Sequence, residues 1–228
     1  MTTENLPVLA ILGGTGDLGT GLARRWAQVG YEVIIGSRTQ EKAEAAVADL
    51  REVMAERGVA EISVRAMENL AAARAADIVT LTVPFSHQAS TLELVKEALH
   101  GKILIDVTVP LVPPKVARVQ LPPQGSAGQI AQELLGEEVY VVSAFQNVAA
   151  AHLQEGRGLE CDVLVTGNKK VAREAVITLV EAAGMRGFHA GMINNAAAAE
   201  ALTSVLITIN KQYGCHAGIK ISGLDDTH

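Results

Sequence analysis

Three glycines carry the first chemistry in this chain. They lie in the run Val8-Leu9-Ala10-Ile11-Leu12-Gly13-Gly14-Thr15-Gly16-Asp17-Leu18-Gly19, where Gly14, Gly16 and Gly19 hold the spacing G-x-G-x-x-G. An apolar strand runs straight into this loop. An amphipathic helix leaves it, with Leu18, Leu22, Trp26 and Val29 on one face. In that setting the spacing suits a dinucleotide pyrophosphate. The first glycine allows a tight turn, the second lets backbone approach the phosphates, and the third lets helix pack on strand. Backbone N–H groups at the helix N-terminus then face the anion with a favourable dipole.

The next strand, Glu32-Val33-Ile34-Ile35, decides which dinucleotide. It ends in Gly36-Ser37-Arg38, with Lys42 four residues on. A site for an unphosphorylated ribose usually places a carboxylate here to bind the 2′-hydroxyl. This strand end has none. Ser37 offers a hydroxyl and Arg38 a permanent planar cation, which suit a 2′-phosphate, and Lys42 is placed to add a second cation one turn along. The residues predict NADP(H) as the cofactor.

Other polar and aromatic groups fall at later strand ends, where ligands bind in open α/β sheets. Phe85 could stack on a ring, or fill core. His87 is the candidate catalytic residue, as an acid or donor in the cleft; equally, it could only close a turn. Gln146-Asn147-Val148-Ala149-Ala150 is polar and then small, which would let a flat ring approach closely; the alternative is a helix start capped by Asn147. Asp106 is a possible polar support.

The elements that must position these groups alternate. Strands are expected at 8–12, 32–35, 62–65, 77–83, 103–105, 139–143 and 162–166, with a short one near Phe188. Helices are expected at 17–29, 40–57, 68–73, 88–99, 127–135, 169–183 and 194–212. The continuous apolar runs suit parallel strands buried on both faces. The segment Val109 to Pro123 is too rich in proline for regular structure. The fold class is therefore α/β, a Rossmann-type doubly wound, mostly parallel sheet with a small C-terminal helical part. The domain division expected is 1–190 for the NADP-binding unit with extra strands, and 191–228 for the helical segment.

Composition narrows the class. The chain has 228 residues, 49% of them hydrophobic, and a net charge of −6, which argues against a nucleic-acid partner. Cys161 and Cys215 stand far apart, in no metal or redox spacing; no metal is expected, and a reducing, cytoplasmic compartment fits. The apolar run at the N-terminus stops at the glycine loop, so it reads as a core strand and not a signal peptide. No stretch reaches the ~20 apolar residues of a membrane span, and no membrane partner is expected.

The glycine loop, Gly36-Ser37-Arg38 with Lys42, Pro84-Phe85-Ser86-His87 and Gly218-Ile219-Lys220 together resemble the NADPH-dependent reductases of coenzyme F420, an 8-hydroxy-5-deazaflavin. The resemblance runs nearly the length of the chain. It implies that Gly14, Thr15, Gly16, Asp17, Leu18, Gly19, Ser37, Arg38, Lys42, Phe85, Val109 and Ala150 line the NADP site. It implies F420 as co-substrate, near Gln146, Asn147 and Val148; family members can carry His where this chain has Gln146. Hydride transfer between NADP(H) and F420 would need two flat rings held face to face, with reacting atoms about 3–3.5 Å apart. Two other readings stay open: an NADPH-dependent reductase of another acceptor (a flavin, a ferric complex or an imine), and a non-enzymatic NADP-binding sensor.

The last helix carries Ala197, Ala201, Val205 and Ile209 at i, i+4 spacing, with Leu202 and Leu206 beside them. Such a stripe either covers the chain's own sheet or pairs with a second copy, and the expectation is a homodimer.

Overall fold

The computed structural model describes residues 6–59, 61–155 and 159–223. Strands β1 (Leu9–Leu12), β2 (Val33–Ser37), β3 (Val64–Glu68), β4 (Ile78–Leu81), β5 (Ile103–Asp106), β6 (Tyr140–Ser143), β7 (Asp162–Gly167) and β8 (Arg186–His189) form one sheet. Its order is β3-β2-β1-β4-β5-β6-β7-β8. Every neighbouring pair is parallel except β6 and β7, where Ser143 lies antiparallel to Thr166. The strand order reverses at β1, where the chain crosses from one half of the sheet to the other. In a doubly wound sheet that is where a crevice opens above the strand ends.

The helices are α1 (Asp17–Gln28), α2 (Gln40–Glu56), α3 (Asn69–Ala75), α4 (Gln88–Val95), α5 (Ala127–Leu135), α6 (Ala150–Gln154), α7 (Lys170–Ala182) and α8 (Ala196–Tyr213). They cover both faces. Leu22 and Trp26 of α1, Leu50 of α2, Leu153 of α6 and Leu179 of α7 pack on one side. Ala72 of α3, Leu92 of α4, Ala131 and Leu135 of α5 and Ala196 of α8 pack on the other. With apolar layers on both faces, β1, β2 and β4 have no exposed residue and need no alternation. Each large side chain buried this way contributes about 1.5–3 kcal/mol.

The structure departs from the sequence expectation in three places. Strand β3 lies two residues further on, because Met67 and Glu68 pair with Gly36 and Ser37 of β2 instead of opening the next helix. The helix expected at 88–99 ends at Val95 and tightens into a 3₁₀ turn at Lys96–Leu99. The helix start weighed at Asn147 comes later, as α6 from Ala150 with Ala149 as its N-cap, because the Asn147 side chain bonds the Ala199 carbonyl instead. Helix α6 lies against α1 so closely that a Cβ on Gly21 would meet Leu153 Cβ at 2.7 Å. Helix α8 leaves much of its apolar stripe only partly covered and turns another face inward. It buries Ala196, Ala199, Glu200, Ser204 and Leu206, while Ala197, Ala201 and Ile209 are half-buried and Val205 is 45% exposed. The inward face is partly polar because its polar groups have partners there. Ser204 Oγ donates to the Val116 carbonyl at 2.9 Å, tying α8 to the irregular proline-rich segment.

The antiparallel step has a positional result. Asp162 lies four residues before Thr166, so β7 starts well beyond the end of β6, on the edge where β1 to β6 terminate. The chain's tail returns to that point. Asp162 N donates to the Ile219 carbonyl at 2.9 Å, and Ile221 N donates to Asp162 Oδ2 at 2.5 Å. None of the described helices is long and apolar enough to cross a membrane.

Candidate functional site

The three glycines of the loop have different physical tasks. An ideal Cβ on Gly14 would meet the Ile11 carbonyl at 2.6 Å, and one on Gly19 would meet Gly14 Cα at 2.6 Å. Both positions are closed by the protein's own backbone. A Cβ on Gly16 would meet nothing within 4 Å. Gly16 is the N-cap of α1, with ordinary extended backbone at φ −87° and ψ 171°. No steric or conformational demand of the fold explains a glycine there. Thr15 and Asp17 flank Gly16 at the head of α1, and Leu18 follows in its first turn. Gly13 is also constrained, at φ +67°, and its N–H donates to Asn69 Oδ1 at 3.2 Å. Asn69, buried at the start of α3, thus pins the loop from the neighbouring crossover.

Beside the loop lies a cavity of about 300 Å³. Gly13, Thr15, Ser37, Arg38, Lys42, Asn69, Val83 and His87 all border it. Ser37 ends β2, and Arg38 and Lys42 flank the start of α2, both exposed. Neither Arg38 nor Lys42 forms an ion pair or side-chain hydrogen bond with another described residue. Two unpaired cations at the rim of a pocket next to an open helix N-terminus form an anion site. The residues therefore fit a phosphorylated dinucleotide.

His87 closes the 3₁₀ turn Phe85–His87 and its carbonyl accepts from Thr91 Oγ1 at 2.7 Å. The structure places it in the cavity with Arg38 and Lys42, away from the loop after β6. Phe85, half-buried, opens the same turn. Val109 is half-buried at the start of the proline-rich segment, and Ala150 is the first residue of α6.

The loop after β6 is built from within. Phe145 holds φ +71°, the left-handed region that residues other than glycine seldom occupy. Its buried ring meets Trp26 edge to face, with centroids 6.1 Å apart. Gln146 Nε2 donates to the Asp106 carbonyl and to Ser143 Oγ, both at 2.8 Å. Asn147 Nδ2 donates to the Ala199 carbonyl of α8 at 2.8 Å. Both side-chain amides point into the protein and bond there. Val148 packs on the core, and Ala149 and Ala150 are half-buried.

Under this loop sit two buried carboxylates. Asp106, at the end of β5, accepts from Thr108 N, from Thr108 Oγ1, and from Gln88 Nε2 at 2.5 Å. Glu200 of α8 accepts from the first amides of α5, Ala127 N at 2.6 Å and Gly128 N at 3.0 Å. It caps that helix from another element. Burial pushes both carboxyls upward. Glu200 reaches about 8, the amides of Gly128 and Ala127 offsetting part of the shift and the nearby Asp106 adding to it. Sequence reasoning missed Asn69, Val83, Gln88 and Glu200. Glu200 did carry a signal: it is a lone carboxylate in an otherwise alanine-rich, apolar helix.

The shift has a consequence for stability. Glu200 keeps its proton in the folded chain up to about pH 8, but ionises near 4.5 once unfolded. Its protonated burial is fully favourable below 4.5 and is lost progressively as pH rises through 8. Glu200→Gln cannot ionise. The melting temperature of the native chain should therefore fall more steeply than that of Glu200→Gln between pH 5 and pH 8. Parallel curves in calorimetry would refute this assignment.

Comparisons with known proteins show the family of the chain. Residues 8–110 match the family model for NADP oxidoreductase, coenzyme F420-dependent. The chain is 40% identical over 223 residues to a F420-dependent NADP reductase of Methanocaldococcus jannaschii, covering 95% of this chain and 99% of that one. It is 39% identical over 225 residues to the F420-dependent NADP reductase of Methanothermobacter marburgensis, covering 96% and 99%. A solved structure from Arthrobacter sp. FB24 superimposes with a TM-score of 0.80 at 27% identity, covering 96% of this chain and all of that one. Near-complete coverage in both directions leaves no separate region of this chain to be accounted for by another fold. The chain belongs to the F420-dependent NADP reductase family.

Proposed function

We propose that this protein transfers a hydride between NADP(H) and the deazaflavin coenzyme F420. The observation that carries the reading is the cavity that Arg38 and Lys42, with no side-chain partner among the described residues, share with Gly13 and Thr15 of the glycine loop. Ser37, Arg38 and Lys42 bind the 2′-phosphate, and the backbone from Thr15 to Leu18 binds the pyrophosphate. Phe85, Val109 and Ala150 border the rest of the NADP site. When bound, the nicotinamide supplies a hydride from C4 and the deazaflavin takes it at C5. The apolar surfaces of Val109, Val148 and Ala150 exclude water from the paired rings. Gln146 and Asn147 serve the acceptor through the backbone that their buried amides hold in place. No side chain is required as nucleophile or metal ligand. The test mixes purified protein, NADPH and F420 and follows absorbance near 420 nm. Loss of absorbance with F420, and none with free flavin, supports the reading; NADPH binding without F420 turnover overturns it.

His87 belongs in this account to the adenosine end, because it shares its cavity with Arg38 and Lys42. His87→Asn should raise KM for NADPH and leave kcat within about twofold, whereas a general acid contributes 10²–10⁴-fold. A loss of that size in kcat, with one pKa gone from the pH profile, would return His87 to the chemistry.

The same reading includes a cytoplasmic homodimer. Its support is the outer face of α8, where Val205 is exposed and Ala197, Ala201 and Ile209 are only half covered. Light scattering at micromolar concentration should give twice the chain mass; a monomer mass would remove the dimer.

A further inference from the structure

One turn in the molecule is held in an unfavourable backbone state, and the groups that hold it come from far away in sequence. Phe145, at φ +71°, forces the chain to reverse sharply just past the end of β6. Such conformations are unfavourable and persist only where surrounding contacts over-determine them. Three sets of contacts do so here. The Phe145 ring is locked against Trp26. The Gln146 side chain bonds down to the strand ends through Asp106 O and Ser143 Oγ. From above, α8 grips the backbone and the next residue: Thr203 Oγ1 donates to the Gln146 carbonyl at 2.9 Å, and Asn147 Nδ2 donates to the Ala199 carbonyl at 2.8 Å.

Helix α8 is itself fixed on its far side. Glu200, one turn before Thr203 and Ser204, is tied to the head of α5, and Ser204 is tied to the proline-rich segment. Thr203 is therefore a bond between a rigid strut and a strained turn. The turn leads directly into Val148, Ala149 and Ala150.

We propose that Thr203 is a positioning residue for hydride transfer, holding the Phe145-Gln146-Asn147 turn, and with it the backbone at Val148, in the geometry the acceptor ring requires. The proposal rests on the deazaflavin reading above. Thr203 does not touch the dinucleotide cavity bounded by Arg38 and Lys42, so its effect should be confined to the acceptor side.

The test is Thr203→Val, which keeps the shape and removes the donor, beside Thr203→Ser, which restores it. Thr203→Val should lower kcat with F420 about 3- to 10-fold, the range expected for losing one hydrogen bond in the reacting geometry. The dissociation constant for NADPH should stay within about twofold. Amide hydrogen exchange across 144–150 should speed up in Thr203→Val without ligand and return to the native rate in Thr203→Ser. Native kcat and native exchange in Thr203→Val would overturn the proposal. So would a proportional loss of NADPH affinity, or a failure of serine to rescue, since either marks general loosening. If Thr203→Val does not fold, Thr203→Ala, smaller and also without the donor, carries the same test. The unsubstituted protein separates this proposal from its parent reading: no turnover of F420 there defeats the reading, while the exchange experiment still judges the turn.

Discussion

Gly16→Val should abolish dinucleotide binding in a protein that still folds. The expectation follows from the asymmetry among the loop glycines. Beyond its chain neighbours, no described residue lies within 4 Å of a Cβ at Gly16, and its φ of −87° is ordinary for a valine. The only thing the new side chain displaces is the ligand. Valine is a poor helix N-cap, so a loss of about 1 kcal/mol, or roughly 2–4 °C in melting temperature, is expected. Gly19→Ala should do the opposite: its Cβ would meet Gly14 Cα at 2.6 Å, so the loop and α1 must move apart. Calorimetric titration with NADPH, next to thermal melts of both variants, distinguishes the two roles. Near-native NADPH affinity in Gly16→Val would show that the open face of the loop is not where phosphate sits.

Arg38→Ala should weaken NADPH about 10- to 150-fold and NADH hardly at all. A charge-assisted hydrogen bond contributes about 1.5–3 kcal/mol, which sets that range. Because Arg38 has no side-chain partner among the described residues, its removal leaves none of them unsatisfied, and the affinity change reports the ligand contact. Lys42 remains, which keeps the loss from being total. The ratio of dissociation constants for the two cofactors is the measurement. Equal losses for both would mean that Arg38 shapes the fold and does not read the phosphate.

These two predictions draw on the part of the site that was legible in the sequence. Gly14, Gly16, Gly19, Ser37, Arg38 and Lys42 act within local spacings, and a loop between a strand and a helix can be read from its own residues. What holds that loop could not be. Asn69 reaches Gly13 across 56 positions, Glu200 reaches Gly128 across 72, and Thr203 reaches Gln146 across 57. No pattern within any one segment reports such pairings. The same reason explains the elements. Helix α5 was readable because Ser126 caps it and Gly136 ends it. Strand β3 was placed early because its register belongs to β2. Helix α6 has five residues, too few to show a period. It is fixed by Arg24 and Arg25, whose guanidinium groups bond the carbonyls of Gln154, Leu153 and His152. The buried face of α8 could not be read from apolar spacing, because Glu200 and Ser204 are drawn inward by partners that only folding supplies.

The contact between Trp26 and Phe145 gives this enzyme its own optical gauge. Trp26 is the one tryptophan in the chain. It is wholly buried, its indole N–H donates to the Leu179 carbonyl at 2.8 Å, and its ring abuts the residue on which the strained turn pivots. Emission from this single fluorophore therefore carries no background from other indoles. Its wavelength reports how dry the core stays beneath the turn, and its anisotropy reports how firmly the ring is gripped. Changes at the ring site can be followed in real time without attaching a dye.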